Sequence, residues 1–120
     1  MDNSIIDTIL SHFQEAQAIY LFGTHGAENE RPDSDVDVAL LLPPEKAKQT
    51  GPLTLSEAWF EFESTMGKTV DLVNLRLAPR VLQKEVIAED RHICAGDENA
   101  AEEFETLTIS FFIRNWIFQS

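Results

Sequence analysis

The run YLFGTHGAENERPDSDVDVALLL, residues 20–42, decides how this chain is read. Together with the two residues before it, Ala18–Phe22 is a continuous apolar segment ending at glycine, the mark of a buried strand. Gly23-Thr24 then provides a tight turn whose backbone N–H groups and hydroxyl can face a phosphate. A mostly polar insert of ten residues follows, with turn chemistry in Arg31-Pro32-Asp33-Ser34 and room for a short helical turn just after Gly23. Asp35-Val36-Asp37 opens the next apolar run, a central strand over Val36–Leu42 stopped by Pro43-Pro44. On a strand, Asp35 and Asp37 point to one face, while Val36 and Val38 point to the other, into a core. Two carboxylates that close repel each other unless a cation lies between them. Oxygen donors of this kind suit a hard divalent ion such as Mg²⁺, which keeps waters and takes further ligands from substrate phosphates. The stretch reads as a metal-dependent, nucleotide-handling site.

Outward from it, Val70-Asp71-Leu72-Val73 is a second apolar strand, expected over Lys68–Leu75, with one more carboxylate. Asp71 among apolar neighbours is costly without a partner. Metal or base duty is one answer, and an ion pair with Arg76 or Arg80 is the other. Ile5, Ile6, Ile9, Leu10 and Phe13 recur at helical spacing, and Ser4 with Asp7 resembles a capping pair, which gives a first helix over residues 4–16. Glu45–Pro52 reads as a solvated loop. Thr54 and Glu57 form a capping box for a helix to Met66, with Leu55, Trp59, Phe62 and Met66 as its buried stripe and Gly67 as its C-cap. Pro79 opens a further helix with Val81, Leu82, Val86 and Ile87 facing inward, and His92–Ala95 adds a short edge strand. From Asp97, an N-cap, a last helix carries Ala100, Phe104, Leu107 and Phe111 inward. Helices and strands alternate, so the fold class is α+β, with α/β-type layers.

The 120 residues make one domain, 1–120, large enough for a core, with an atypical apolar tail at 111–120. Phe111, Phe112, Ile113, Trp116, Ile117 and Phe118 cannot share one helix face, and a helix apolar all round is normally covered by something. Nine Lys and Arg stand against 21 Asp and Glu, a net charge of −12. That balance disfavours direct nucleic-acid binding, which needs phosphate neutralisation. Cys94 is alone, which fits a reducing cytoplasm, and neither a signal peptide nor a membrane-spanning run is expected. Trp59 and Phe62 read as core, His12 and His92 as residues without a role, and the Glu102-Glu103-Glu105 cluster as the wet face of the last helix.

Gly-Thr, ten residues, then Asp-x-Asp resembles the signature of the DNA polymerase β-like nucleotidyltransferase superfamily. The short chain, the Arg31-Pro32-Asp33-Ser34-Asp35 string and the Val70–Val73 strand resemble its minimal branch, the MNT domains that are antitoxin partners of HEPN-domain toxins. The resemblance covers the first helix to about Ser110. It implies a small mixed β-sheet flanked by helices, with the site along one sheet face. Gly23 and Thr24 would hold the β- and γ-phosphates of ATP, Asp35 and Asp37 would bind two Mg²⁺ ions, and Asp71 would complete the metal site and help deprotonate the attacking hydroxyl. The implied reaction is transfer of AMP from ATP to a tyrosine of the toxin.

Thr24 replaces the family's usual serine and keeps its hydroxyl. Ala27-Glu28 stands where relatives often carry Arg-Gly, which removes a bidentate phosphate donor and adds a like charge near the triphosphate. Arg31 is left to compensate in nucleotide binding, and His25 reads as an ordinary loop residue. Weakened turnover is therefore expected. Two alternatives stand beside the adenylylating antitoxin: a catalytically weakened antitoxin that occludes its toxin through Phe112, Trp116 and Phe118, and a small-molecule nucleotidyltransferase. The expected assembly is a hetero-oligomer with the toxin, with self-association through the apolar C-terminal helix as a further expectation.

Overall fold

The computed structural model describes residues 2–22, 36–67, 69–89, 92–94 and 96–119. Its order is α1 (Asp2–His12), β1 (Ala18–Phe22), β2 (Val36–Leu41), α2 (Pro44–Thr50), α3 (Glu57–Met66), β3 (Val70–Asn74), a 3-10 turn (Leu75–Leu77), α4 (Arg80–Glu89), β4 (His92–Cys94) and α5 (Glu98–Gln119). The four strands lie in the order β3-β2-β1-β4. β1 runs antiparallel to β2 and β4, and β2 runs parallel to β3, so the sheet is mixed as expected.

Strand alternation sends side chains to two cores. Val36, Val38, Leu40, Ile19, Leu21, Val70 and Leu72 face Ile5, Ile9 and Phe62 of α1 and α3. Tyr20, Phe22, Ala39 and Leu41 face Val86, Ile87, Ala101 and Phe104 of α4 and α5. Helices on both faces bury β2 completely apart from its second residue.

Several boundaries differ from expectation. α1 begins at Asp2 and ends at His12, so Ser4 lies inside it rather than capping it. The chain turns at Phe13–Ala16, and Gln17 N–H donates to Leu41 O at 2.7 Å, which draws it into the sheet. Residues 45–52 are not a loop: α2 occupies Pro44–Thr50. Pro44 in the first turn, Glu45 at the start, Lys48 near the end and Gly51 at φ 66 supply its terminal signals. One buried side chain, Ala47, gives no periodicity to detect.

The N-cap of α3 is Ser56, whose Oγ accepts from Trp59 N–H at 3.2 Å, and not Thr54. Leu55 therefore sits before the helix at φ 71, two-thirds exposed, instead of in its buried stripe. Gly67 does adopt the left-handed C-cap. Val81 and Leu107 face outward as well. α4 presents Gln83, Val86 and Ile87 to the core, and α5 presents Ala101, Phe104 and Thr108. Asp97 caps α5, its Oδ1 accepting from Ala100 N–H at 3.0 Å. Glu102 and Glu103 are solvated, but Glu105 is half-buried and its carboxylate accepts from Tyr20 O–H at 3.2 Å.

Candidate active site

β2 and β3 run side by side with Asp37 directly opposite Asp71. Partners in a parallel ladder share a face and lie roughly 4.8 Å apart. On the other flank of β2, Asp37 is opposite Phe22, the last residue of β1. This is the α4–α5 face of the sheet, at the end where β2 and β3 begin. Ala39 and Leu41, further along the same face, are fully buried, whereas Asp37 is half-buried and Asp71 exposed. Among the described residues, α4 and α5 thus cover the far part of the face and not its carboxylate end.

Asp71 was expected in a buried strand and stands instead on an edge strand, so solvation removes the burial penalty that made an ion pair attractive. Arg76 is otherwise engaged. It donates to Leu42 O and to Gln17 Oε1 and lies over the Phe104 ring at 5.4 Å. Burial pulls its guanidinium below the usual arginine range, against the upward pull of Glu103 and Tyr20. Arg80 lies over the Phe111 ring at 4.4 Å.

The residue before Asp71 is held from outside the sheet. Val36 N–H donates to Thr69 O at 2.9 Å, so residue 69 turns its backbone toward β2 and Val70 turns its own to the open edge. There α3 takes both polar groups. Trp59 Nε1–H donates to Val70 O at 2.8 Å, and Val70 N–H donates to Glu63 Oε2 at 2.9 Å. This clamp fixes the height of β3 and with it the position of Asp71. Nothing in the sequence marked it, because Trp59 reads as core and one glutamate within a helix carries no signal of a distant backbone partner.

Further along β3, Asn74 is buried and donates to Ala47 O at 3.1 Å and Gly51 O at 2.9 Å, which ties the strand to α2. A depression of about 230 Å³ follows the edge strand and is lined by Thr54, Asp71, Asn74 and Leu77. A larger one, of about 360 Å³, lies past the far ends of β2 and β3, away from the carboxylates.

Of the expected site residues, Asp37 and Asp71 are brought together. Asp35, Gly23, Thr24 and Arg31, with the altered Ala27-Glu28 pair and the helical turn expected after Gly23, lie outside the described residues. So do the side chains of Trp116, Ile117 and Phe118. Phe22, the last described residue before position 23, pairs with Asp37 across the sheet, and Val36, the first described after position 35, precedes it in β2. Among the described residues no group of three metal-ligating side chains comes together. The Asp37–Asp71 pair is an all-oxygen donor set with two like charges one strand apart, which is the chemistry that a hard divalent cation fits. No described helix is long and apolar enough to cross a membrane.

The family model described as Polymerase beta, Nucleotidyltransferase matches residues 4–99. The protein adenylyltransferase MntA of Shewanella oneidensis is 30% identical over 111 residues, covering 92% of this chain and 76% of its own length. A crystal structure of a toxin–antitoxin with AMP-PNP superposes with a TM-score of 0.76 at 27% identity, covering 98% of this chain and 91% of that one. A structure of tri-AMPylated Shewanella oneidensis HEPN toxin in complex with MNT antitoxin gives 0.70 at 26% identity, covering 98% and 88%. With its fold shared along nearly the whole length and residues 4–99 matched by the family model, this chain belongs to the polymerase beta nucleotidyltransferase family.

Proposed function

We propose that this chain is an antitoxin that disables a HEPN-domain toxin by transferring AMP from ATP to a tyrosine hydroxyl of the toxin. The adenylyltransferase activity in the name of its relative MntA and the AMPylated HEPN toxin in a related complex support this reading. The single observation that carries it to this chain is Asp71 standing in register with Asp37 on one sheet face, where β2 and β3 begin.

In this reading Asp37 and Asp71, with Asp35 two residues before Asp37, are the ligands of two Mg²⁺ ions. When bound, such ions supply charge neutralisation at the attacking and leaving oxygens of an in-line displacement. Gly23 and Thr24 hold the β- and γ-phosphates, and Arg31 adds a charged donor to them. The tyrosine oxygen attacks the α-phosphorus, and its proton passes to the Asp71 carboxylate. The bond from the α-phosphorus to the bridging oxygen breaks, and pyrophosphate leaves with that electron pair. Positioning carries most of the rate, since little covalent chemistry falls to the protein. ATP as donor and a reducing cytoplasm as the setting belong to the same proposal.

Incubation with α-labelled ATP, Mg²⁺ and the cognate HEPN-domain toxin tests it. Label on a toxin tyrosine, with loss of the toxin's activity, is the expected result. A second reading, neutralisation by occlusion, is favoured by Ala27 and Glu28 in place of an Arg-Gly pair with its phosphate-binding arginine. A stable complex that silences the toxin without label transfer would decide for it and against catalysis.

A further inference from the structure

One groove on the α4–α5 side of the molecule is lined by charge of the opposite sign to that of the chain as a whole. Two depressions, of about 360 and 290 Å³, share Arg80 and Leu107 and so form one groove along α5. Lys48, Arg76, Arg80 and Arg114 line it, and no described carboxylate does, in a chain with 21 acids and nine cations. Glu103 stands just beyond Arg76, in a neighbouring depression. Packing explains part of this arrangement, because Arg76 and Arg80 cover the Phe104 and Phe111 rings. It does not explain the rest. Among the described residues Lys48, Arg80 and Arg114 enter no ion pair, and Leu107 between them is 60% exposed.

We infer that this groove docks an acidic amphipathic segment of the protein substrate, with an apolar side chain over Leu107 and carboxylates against Lys48, Arg80 and Arg114. The identity of that substrate as a HEPN toxin rests on the function proposed above. Leu107 and Arg114 are seven residues apart on one helix, roughly 10 Å along its axis, which is the span of two turns of a helical ligand. A small anion would satisfy the cations and leave Leu107 in water. A second copy of this chain carries net charge −12 and is repelled at long range. The groove adjoins α2 and the turn after β3, so it lies four to five residues, roughly 15 Å, along the strands from Asp37 and Asp71. Docking there holds the substrate without occupying the reacting carboxylates.

The test is a titration of the HEPN protein with the wild-type chain and with Arg80→Glu/Arg114→Glu, at low and moderate salt, alongside steady-state AMP transfer. The double reversal is expected to weaken Kd by about tenfold or more, on the scale of 1.4 kcal/mol per tenfold, and to flatten the salt dependence. KM for the toxin rises with it, while kcat at saturating toxin stays near wild type. Arg80→Gln/Arg114→Gln, expected to be intermediate, separates charge from misfolding, as does an unchanged circular dichroism melt. Unchanged Kd in the folded reversal variant overturns the inference, and so does a change in the isolated chain's own oligomeric mass with toxin binding intact. Wild-type binding without AMP transfer sinks the catalytic proposal and leaves the docking groove standing. Absence of wild-type binding overturns both.

Discussion

The clamp on Val70 makes a quantitative claim about how Asp71 is positioned. Trp59→Phe keeps a ring in the α1–α3 core but removes the indole N–H that reaches Val70 O at 2.8 Å. One net hydrogen bond at a half-open strand edge is worth about 1 kcal/mol. Glu63→Ala removes a charged acceptor from Val70 N–H, at 2.9 Å, worth about 1.5–2 kcal/mol. The two changes act on one residue, so their sum, about 2.5–3 kcal/mol, is an upper figure rather than an additive one. For a chain of this length the double variant should melt about 10 °C lower. Activity should suffer more than stability, since a displacement of about 1 Å at a reacting group costs on the order of a hundredfold in rate. Stopped-time assays of AMP transfer at saturating toxin and ATP, run well below the lowered Tm, read that loss as kcat. A melt lowered as expected with kcat unchanged would refute the link between the clamp and Asp71. A wild-type melt would refute the clamp itself.

Three further changes probe other parts of the structure. Asp71→Asn should abolish Mg²⁺-dependent AMP transfer yet leave the metal-free protein at least as stable as wild type, because two charges about 5 Å apart in a water-like medium repel by about 1 kcal/mol; thermal melts with and without Mg²⁺ check this, and wild-type transfer would remove Asp71 from the site. Phe62→Ala empties a fully buried position between α3 and the sheet and should cost about 3–5 kcal/mol, read as a fall in the urea midpoint at unchanged slope. Arg76→Lys keeps the charge but loses the forked donation to Leu42 O and Gln17 Oε1, so it should cost about 1–2 kcal/mol in the same assay; a silent substitution would mean that charge alone matters there.

Misread boundaries share one cause. Ser56 and Thr54 are both competent N-caps, and the choice between them depends on where the segment after α2 meets β3, information that no local window contains. Val81 and Leu107 fit apolar stripes on a helical wheel, but the stripe that becomes buried is set by the angle at which α4 and α5 meet the sheet. That angle instead buries Gln83 and Thr108, and Gln83 Nε2 finds the Leu75 carbonyl at 2.9 Å. α2 has too few apolar residues to announce itself, and it is held in place by burial of Ala47 and by the Asn74 amide, which donates to the Ala47 carbonyl.

What the amino-acid order settled alone was local: β1, β2 and β4, the Gly67 and Asp97 caps, and the placing of Asp37 on the sheet face opposite Val36 and Val38. Those follow from period-two geometry and from backbone groups satisfied within a few residues, so short stretches carry the information. The meeting of Asp37 with Asp71, 34 positions later, was decided only by parallel pairing of β2 with β3. That pairing is a long-range contact whose register is set by the valines and leucines buried on the opposite face and by the two bonds α3 makes to Val70.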